Sequence, residues 1–271
     1  MQRLSKKEYW DSLYLRQGFG GQAKQKRFKF LRTSLYCERI LWGNLYQKYL
    51  PKTKNGLKIL EVGSAPGGNL IKFHKTFAYL PYGVEYSEKG VERNRMKFIS
   101  HHLDPNNVIH SDFFSDEFQK KHQEEFDIVM SRGFVEHFSD AKEVIKKHLN
   151  LLIPGGILII IIPNFRGINY FLQSFFNKEI ISMHNLDIME KQKFLKLFDN
   201  EYLKTLYCNY FGTFNFGLFN IKKDFLRNFL QKACDRLQWM LNFIFYFLLR
   251  NKGLEHKFFS PYLIFIGKKI L

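Results

Sequence analysis

A chain of 271 residues, 45% of them apolar, is long enough for one large domain with its own core. Cys37, Cys208 and Cys234 lie far apart and form no CxxC pair, which argues against a zinc knuckle or a disulfide framework and fits a reducing, cytoplasmic setting. The formal net charge of +17 sits at the ends: residues 1–57 hold 13 Lys/Arg against 3 Asp/Glu, residues 58–220 hold 19 of each, and residues 221–271 hold 10 against 3.

The first residues, Met1 to Glu8, contain no apolar run, so no signal peptide is expected there. Residues 6–50 predict two or three helical pieces, with Gly18-Phe19-Gly20-Gly21-Gln22 as a flexible joint. Residues 1–56 are expected to act as a basic helical lid, Tyr9, Trp10 and Tyr14 supplying the covering surface. Residues 58–62 predict a short buried strand ending in a glycine turn, followed by a helix over 68–78 with Leu70, Ile71, Phe73 and Phe77 as its apolar stripe. A second strand is expected over 81–86, a polar helix over 88–101, and a third strand over 108–110 that ends at Ser111-Asp112. The fourth strand covers 126–131 and a helix 139–152. Pro154-Gly155-Gly156 then turns the chain into an all-apolar run, 157–162, which suits a strand covered on both faces. This alternation is the pattern of a parallel α/β sheet with right-handed crossovers. Residues 164–201 predict helices outside the sheet that cover an acceptor. A sixth strand falls within 202–219, a long helix over 221–250 and a last strand over 261–267.

Gly63-x-Ala65-x-Gly67-Gly68, between a strand and a helix, is a nucleotide-type loop: small residues let a ligand approach the backbone, and the helix start offers free N–H groups. Glu85, 22 positions after Gly63, ends the second strand where a carboxylate can take ribose hydroxyls. A dinucleotide and S-adenosylmethionine both satisfy this pattern. Charge separates them. Glu61 sits at the mouth of the turn and suits the ammonium and sulfonium of the methyl donor better than a pyrophosphate.

The run Leu60-Glu61-Val62-Gly63-Ser64-Ala65-Pro66-Gly67 resembles the first motif of class I S-adenosylmethionine-dependent methyltransferases. Glu85, Ser111-Asp112-Phe113, Phe126-Asp127-Ile128-Val129 with Glu136-His137, and Leu152-Ile153-Pro154-Gly155-Gly156 match further motifs of that family in order, over roughly 57–163. The resemblance implies a Rossmann-like, mostly parallel seven-stranded sheet whose last strand runs antiparallel beside strand five, with the methyltransferase domain spanning 57–271. It implies that Gly63, Ser64, Ala65 and Gly67 line the methionine part of the cofactor and that Glu61 supports its amino group. Glu85, with Tyr86 beside it, takes the ribose, Ser111 and Asp112 the adenine with Phe113 next to the ring, and Ser131 and Arg132 lie under the sulfonium. The loop after strand four lacks the Asn-Pro-Pro-Tyr and Pro-Cys sequences of nucleobase methyltransferases, which disfavours DNA base methylation.

His137, at the carboxyl edge of the sheet, is the candidate general base for a hydroxyl acceptor, with His184 and Asp187 as weaker candidates and Asn164 and Arg166 at the entrance. No metal is expected. The acceptor is expected to be a small molecule, a glycan or a lipid-linked precursor. The basic, aromatic helix over 221–250 suits an anionic inner-membrane surface, or alternatively core packing or a dimer interface; the sequence leaves the oligomeric state open. An RNA methyltransferase, supported only by the basic ends, a non-catalytic cofactor-binding member of the fold, and a dehydrogenase are the competing readings.

Overall fold

The computed structural model describes residues 2–16, 35–52, 56–199, 201–221 and 225–270. The predicted joint at 18–22 lies outside them. Helix α1 (Lys7–Arg16) comes first. Then α2 (Leu35–Ile40) passes through a π-helical segment, Leu41–Leu45, into α3 (Tyr46–Tyr49). Next come β1 (Lys58–Val62), α4 (Gly68–Phe77), β2 (Leu80–Glu85), α5 (Glu88–Ile99), β3 (Val108–His110), α6 (Asp116–Lys121), β4 (Phe126–Arg132), α7 (Ala141–Asn150) and β5 (Leu152–Pro163). The chain closes with α8 (Ile168–Ser182, broken at Asn177), α9 (Lys191–Lys196), β6 (Leu203–Phe211), α10 (Phe225–Leu249) and β7 (Tyr262–Lys269).

The seven strands form one sheet in the order β3-β2-β1-β4-β5-β7-β6. The first five are mutually parallel, and β7 runs antiparallel between β5 and β6. This is the topology expected from the sequence. Strand alternation divides the core in two: Leu60, Val62, Val129, Leu158 and Ile160 face one apolar cluster, and Ile59, Ile128, Met130, Ile159 and Ile161 the other.

Two elements differ from expectation. Helix α6 was not anticipated, although Ser115 caps it by accepting from the Phe118 N–H at 3.2 Å and Asp116 and Glu117 fill its first turn. Strand β5 begins at Leu152, not 157, because Leu152 pairs with Phe126 before a register shift resumes pairing at Ile157. The 164–201 segment packs onto the sheet. Phe176, Ile180, Ile188, Met189 and Phe194 are buried in the same cluster as β4 and β5.

Candidate active site

The turn after β1 is built by backbone ties. The N–H groups of Gly63 and Ser64 both donate to the Val84 carbonyl, at 3.0 and 3.3 Å, which locks the turn to the end of β2. Gly63 has φ +68°, and a Cβ there would meet the Phe134 ring at 3.0 Å. Gly67, at φ +81°, leaves no room for any side chain, since a Cβ would lie 2.1 Å from Asn94 Oδ1. Asn94 Nδ2 in turn donates to Ser64 Oγ at 2.6 Å, so the Ser64 hydroxyl supports the turn from behind.

A cavity opens where β1, β2, β3 and β4 end, the edge at which open α/β sheets take ligands. Gly63, Glu85, Tyr86, Ser111, Asp112 and Phe113 line it. Ser64, Ala65, Gly67, Glu61, Ser131 and Arg132 do not reach its wall. Glu85 is buried, with Oε1 accepting from the Ser87 N–H at 2.9 Å and Oε2 from the Ala65 N–H at 3.4 Å. Burial raises its pKa above the ordinary carboxylate range against those bonds. Glu61 lies one layer behind the turn. Its Oε1 accepts from Asn69 Nδ2 at 2.7 Å, its Oε2 is buried without a hydrogen-bond partner among the described residues, and burial pushes its pKa up to about 7. The Ser131 hydroxyl is likewise buried and unpartnered among the described residues.

Arg132 is the last residue of β4. Successive strand residues point to opposite faces, so Ser131 and Arg132 cannot both look into one site. The Arg132 guanidinium pairs with Glu38 Oε1 at 2.7 Å and lies 5.1 Å from the Tyr262 ring centroid.

The amino-terminal segment closes the cavity. The Leu4 N–H donates to the His137 carbonyl at 2.8 Å and the Ser139 N–H to the Gln2 carbonyl at 3.2 Å. Arg3 Nη2 reaches Asp112 Oδ2 at 2.5 Å, with its guanidinium over the Tyr86 and Phe114 rings. On α1, Asp11 accepts from Ser87 Oγ, and Trp10 and Tyr14 form part of the cavity wall.

A second recess adjoins the first and shares Trp10, Gly133 and His137 with it. Glu136 and His184 face this recess. His137 Nδ1 bonds the Met183 carbonyl at 2.8 Å, and burial lowers its pKa to about 3; the same cause lowers His184 to about 4. Loss of water disfavours the imidazolium of both rings. Glu136 is fully buried, its pKa raised to about 8 by burial. Asp187 instead pairs with Lys193, and Asn164 Nδ2 ties the β5 end to the Lys257 and Ser260 carbonyls at 3.1 and 2.8 Å.

Sequence reasoning missed Arg3, Phe114, Phe134 and Phe138 on the cavity wall. Phe134 carries a signal, a bulky residue directly after a glycine that follows a strand. Arg3 carries none, because it meets Asp112 across 109 positions of chain.

Residues 35–210 match a family model described as a methyltransferase domain. No curated protein sequence matches the chain. Among solved structures, a chain of the Haloferax volcanii complex containing the Trm112 methyltransferase activator superposes with a TM-score of 0.59 at 12% identity, covering 99% of both chains. Geranyl diphosphate C-methyltransferase from Streptomyces coelicolor A3(2), solved with Mg2+, geranyl diphosphate and S-adenosyl-L-homocysteine, superposes at 0.56 with 14% identity, over 94% of this chain and 88% of that one. The [4+2]-cyclase SpnF gives 0.52 at 14% identity, over 84% and 80%. At these identities the likeness is one of fold.

Proposed function

The chain belongs to the methyltransferase domain family, and on that premise we propose that it moves the methyl group of S-adenosylmethionine to an oxygen or nitrogen of a small-molecule, glycan or lipid-linked acceptor. The observation that carries this reading is the pair of recesses meeting at Trp10, Gly133 and His137, one for donor and one for acceptor. The residues present fit the donor. Glu61 Oε2, behind the turn, is a buried carboxylate oxygen with no hydrogen-bond partner among the described residues, a group that an ammonium coming past the turn would satisfy. Glu85 stands at the cavity wall for ribose hydroxyls, and Asp112, with Phe113 beside it, for the adenine amino group.

The donor supplies a methyl group already activated on a sulfonium. The protein's part is to align the acceptor atom with it, and orientation of this kind is worth ~7–11 kcal/mol. The segment 2–16 excludes water from the donor cavity, and the apolar wall formed by Ile161, Ile162, Pro163, Phe165 and Ile180 does so in the acceptor recess.

Calorimetry separates the cofactor readings. S-adenosylhomocysteine is expected to bind in the micromolar range and NADH not at all; the reverse would overturn the proposal. Glu85→Ala should weaken S-adenosylhomocysteine roughly tenfold or more, the value of a hydrogen bond to a charged group, and unchanged affinity would remove Glu85 from the site.

Helix α10 favours an acceptor held at an anionic lipid surface. Its inward stripe mixes apolar Cys234, Phe245 and Leu249 with a polar pair: Gln238 Oε1 accepts from the Phe216 N–H at 2.6 Å, and Gln238 Nε2 donates to Asn242 Oδ1 at 2.9 Å. Its outward side exposes Trp239, Met240, Phe243, Ile244, Phe247 and Leu248, with Lys232, Arg236 and Arg250 exposed alongside. An apolar outer face flanked by cations complements an interface of anionic headgroups, whereas a second copy would bring like charges together. No helix among the described residues is long and apolar enough to cross a membrane.

A further inference from the structure

Glu136, His137 and His184 each offer one ligand atom, and these atoms lie within 4.8 Å of one another at the wall of the acceptor recess. We propose that the three bind a divalent transition metal of the zinc type, open on one side to the acceptor. The proposal rests on the methyl-transfer reading only for what the metal does, not for whether it binds.

The hydrogen bonds decide which atoms are available. His137 Nδ1 lies 2.8 Å from the Met183 carbonyl and His184 Nδ1 lies 2.6 Å from the Ile180 carbonyl. A carbonyl oxygen can only accept, so each Nδ1 carries the ring proton and each Nε2 presents its lone pair. Anchoring one ring nitrogen on a backbone carbonyl is how metal-ligating histidines are held in orientation. His137 Nε2 already lies 3.8 Å from Glu136 Oε1, and the two imidazole centroids are 4.5 Å apart.

Glu136 supplies an independent observation. Its side chain is 1% exposed, and its Oε2 is buried without a hydrogen-bond partner among the described residues. A carboxylate enclosed in this way needs a proton or a cation. The one guanidinium that lines the same recess, Arg132, is held by Glu38 at 2.7 Å. Two imidazoles and one carboxylate are a borderline-soft set that suits Zn2+ over Ca2+ or Mg2+, and three protein ligands beside a cleft leave a position for an exogenous oxygen.

The acceptor class follows: a molecule whose hydroxyl oxygen can ligate a divalent cation. Coordination lowers the hydroxyl pKa, its proton leaves to solvent, and the oxygen lone pair forms the O–C bond as the C–S bond breaks onto sulfur. The products are a methyl ether and S-adenosylhomocysteine.

The test uses the full chain without a histidine tag, treated with chelator and dialysed. Calorimetry with Zn2+ should give one site per chain. Loading with Co2+ should give visible ligand-field absorption of low-coordinate intensity. Glu136→Gln and His184→Gln should each weaken Zn2+ by about 100-fold or more and remove the Co2+ spectrum, since each deletes a ligand, while leaving S-adenosylhomocysteine binding within about twofold as evidence of a folded chain. Absence of Zn2+ uptake by wild-type protein that binds S-adenosylhomocysteine would overturn the proposal. So would uptake that both variants retain. Zn2+ uptake lost in both variants, in a chain that keeps its circular dichroism but binds no S-adenosylhomocysteine, would support the metal site and overturn the methyl-transfer reading instead.

Discussion

Glu61 holds a carboxylate where almost no water reaches it, and its pKa near 7 makes it a pH-sensitive element of the fold. The folded chain binds this proton more tightly than the unfolded chain, whose Glu titrates near about 4.3. The associated stability is therefore complete below about pH 4 and is lost as the pH rises through about 7. Glu61→Gln keeps a neutral group throughout. Its stability relative to wild type should rise between about pH 5 and pH 8 by an amount on the order of 3 kcal/mol, measured by urea denaturation. A difference that stays constant across that interval would show that Glu61 titrates normally.

Among elements, α10 buries polar Gln238 and Asn242 beside Cys234, Phe245 and Leu249, and leaves Trp239, Phe243 and Phe247 exposed. Its length and basic flanks were legible in the sequence. The buried polar pair was not, because it depends on the Phe214 and Phe216 backbone groups that Gln238 meets. The chain should cosediment with vesicles containing phosphatidylserine and not with pure phosphatidylcholine, with binding that weakens as salt rises. Replacing Phe243, Phe247 and Leu248 together by Ser should abolish it. Failure to bind, accompanied by a dimer in sedimentation equilibrium that the same triple variant dissociates, would assign the face to a second copy. Salt-sensitive binding to RNA by a variant that no longer binds vesicles would favour the nucleic-acid reading instead.

For the whole molecule, the Glu38–Arg132 pair joins the helices before the sheet to its central strand. Lys72 and the Trp42 indole N–H also reach Glu38, at 3.4 and 2.9 Å. Arg132→Ala leaves Glu38, which is partly buried, with Lys72 and the Trp42 N–H alone, and should cost about 1.5–3 kcal/mol of unfolding free energy, the value of a hydrogen bond to a charged group. A loss under about 1 kcal/mol, the value of an exposed pair, would show that the contact is incidental.

The order of strands and helices, the glycine turn at Gly63 and the acidic end of β2 at Glu85 were determined by the sequence itself. Each is local: hydrophobic periodicity, turn chemistry and residue type act over a few positions. What shares a cavity is not local. Strand alternation separated Ser131 from Arg132, chain return brought Arg3 onto Asp112, and the turn after α8 set His184 beside His137. Those encounters join residues tens to more than a hundred positions apart, and burial then reset the protonation of Glu61, Glu136 and His137. Desolvation is a property of the packed interior, so only the tertiary structure could decide it.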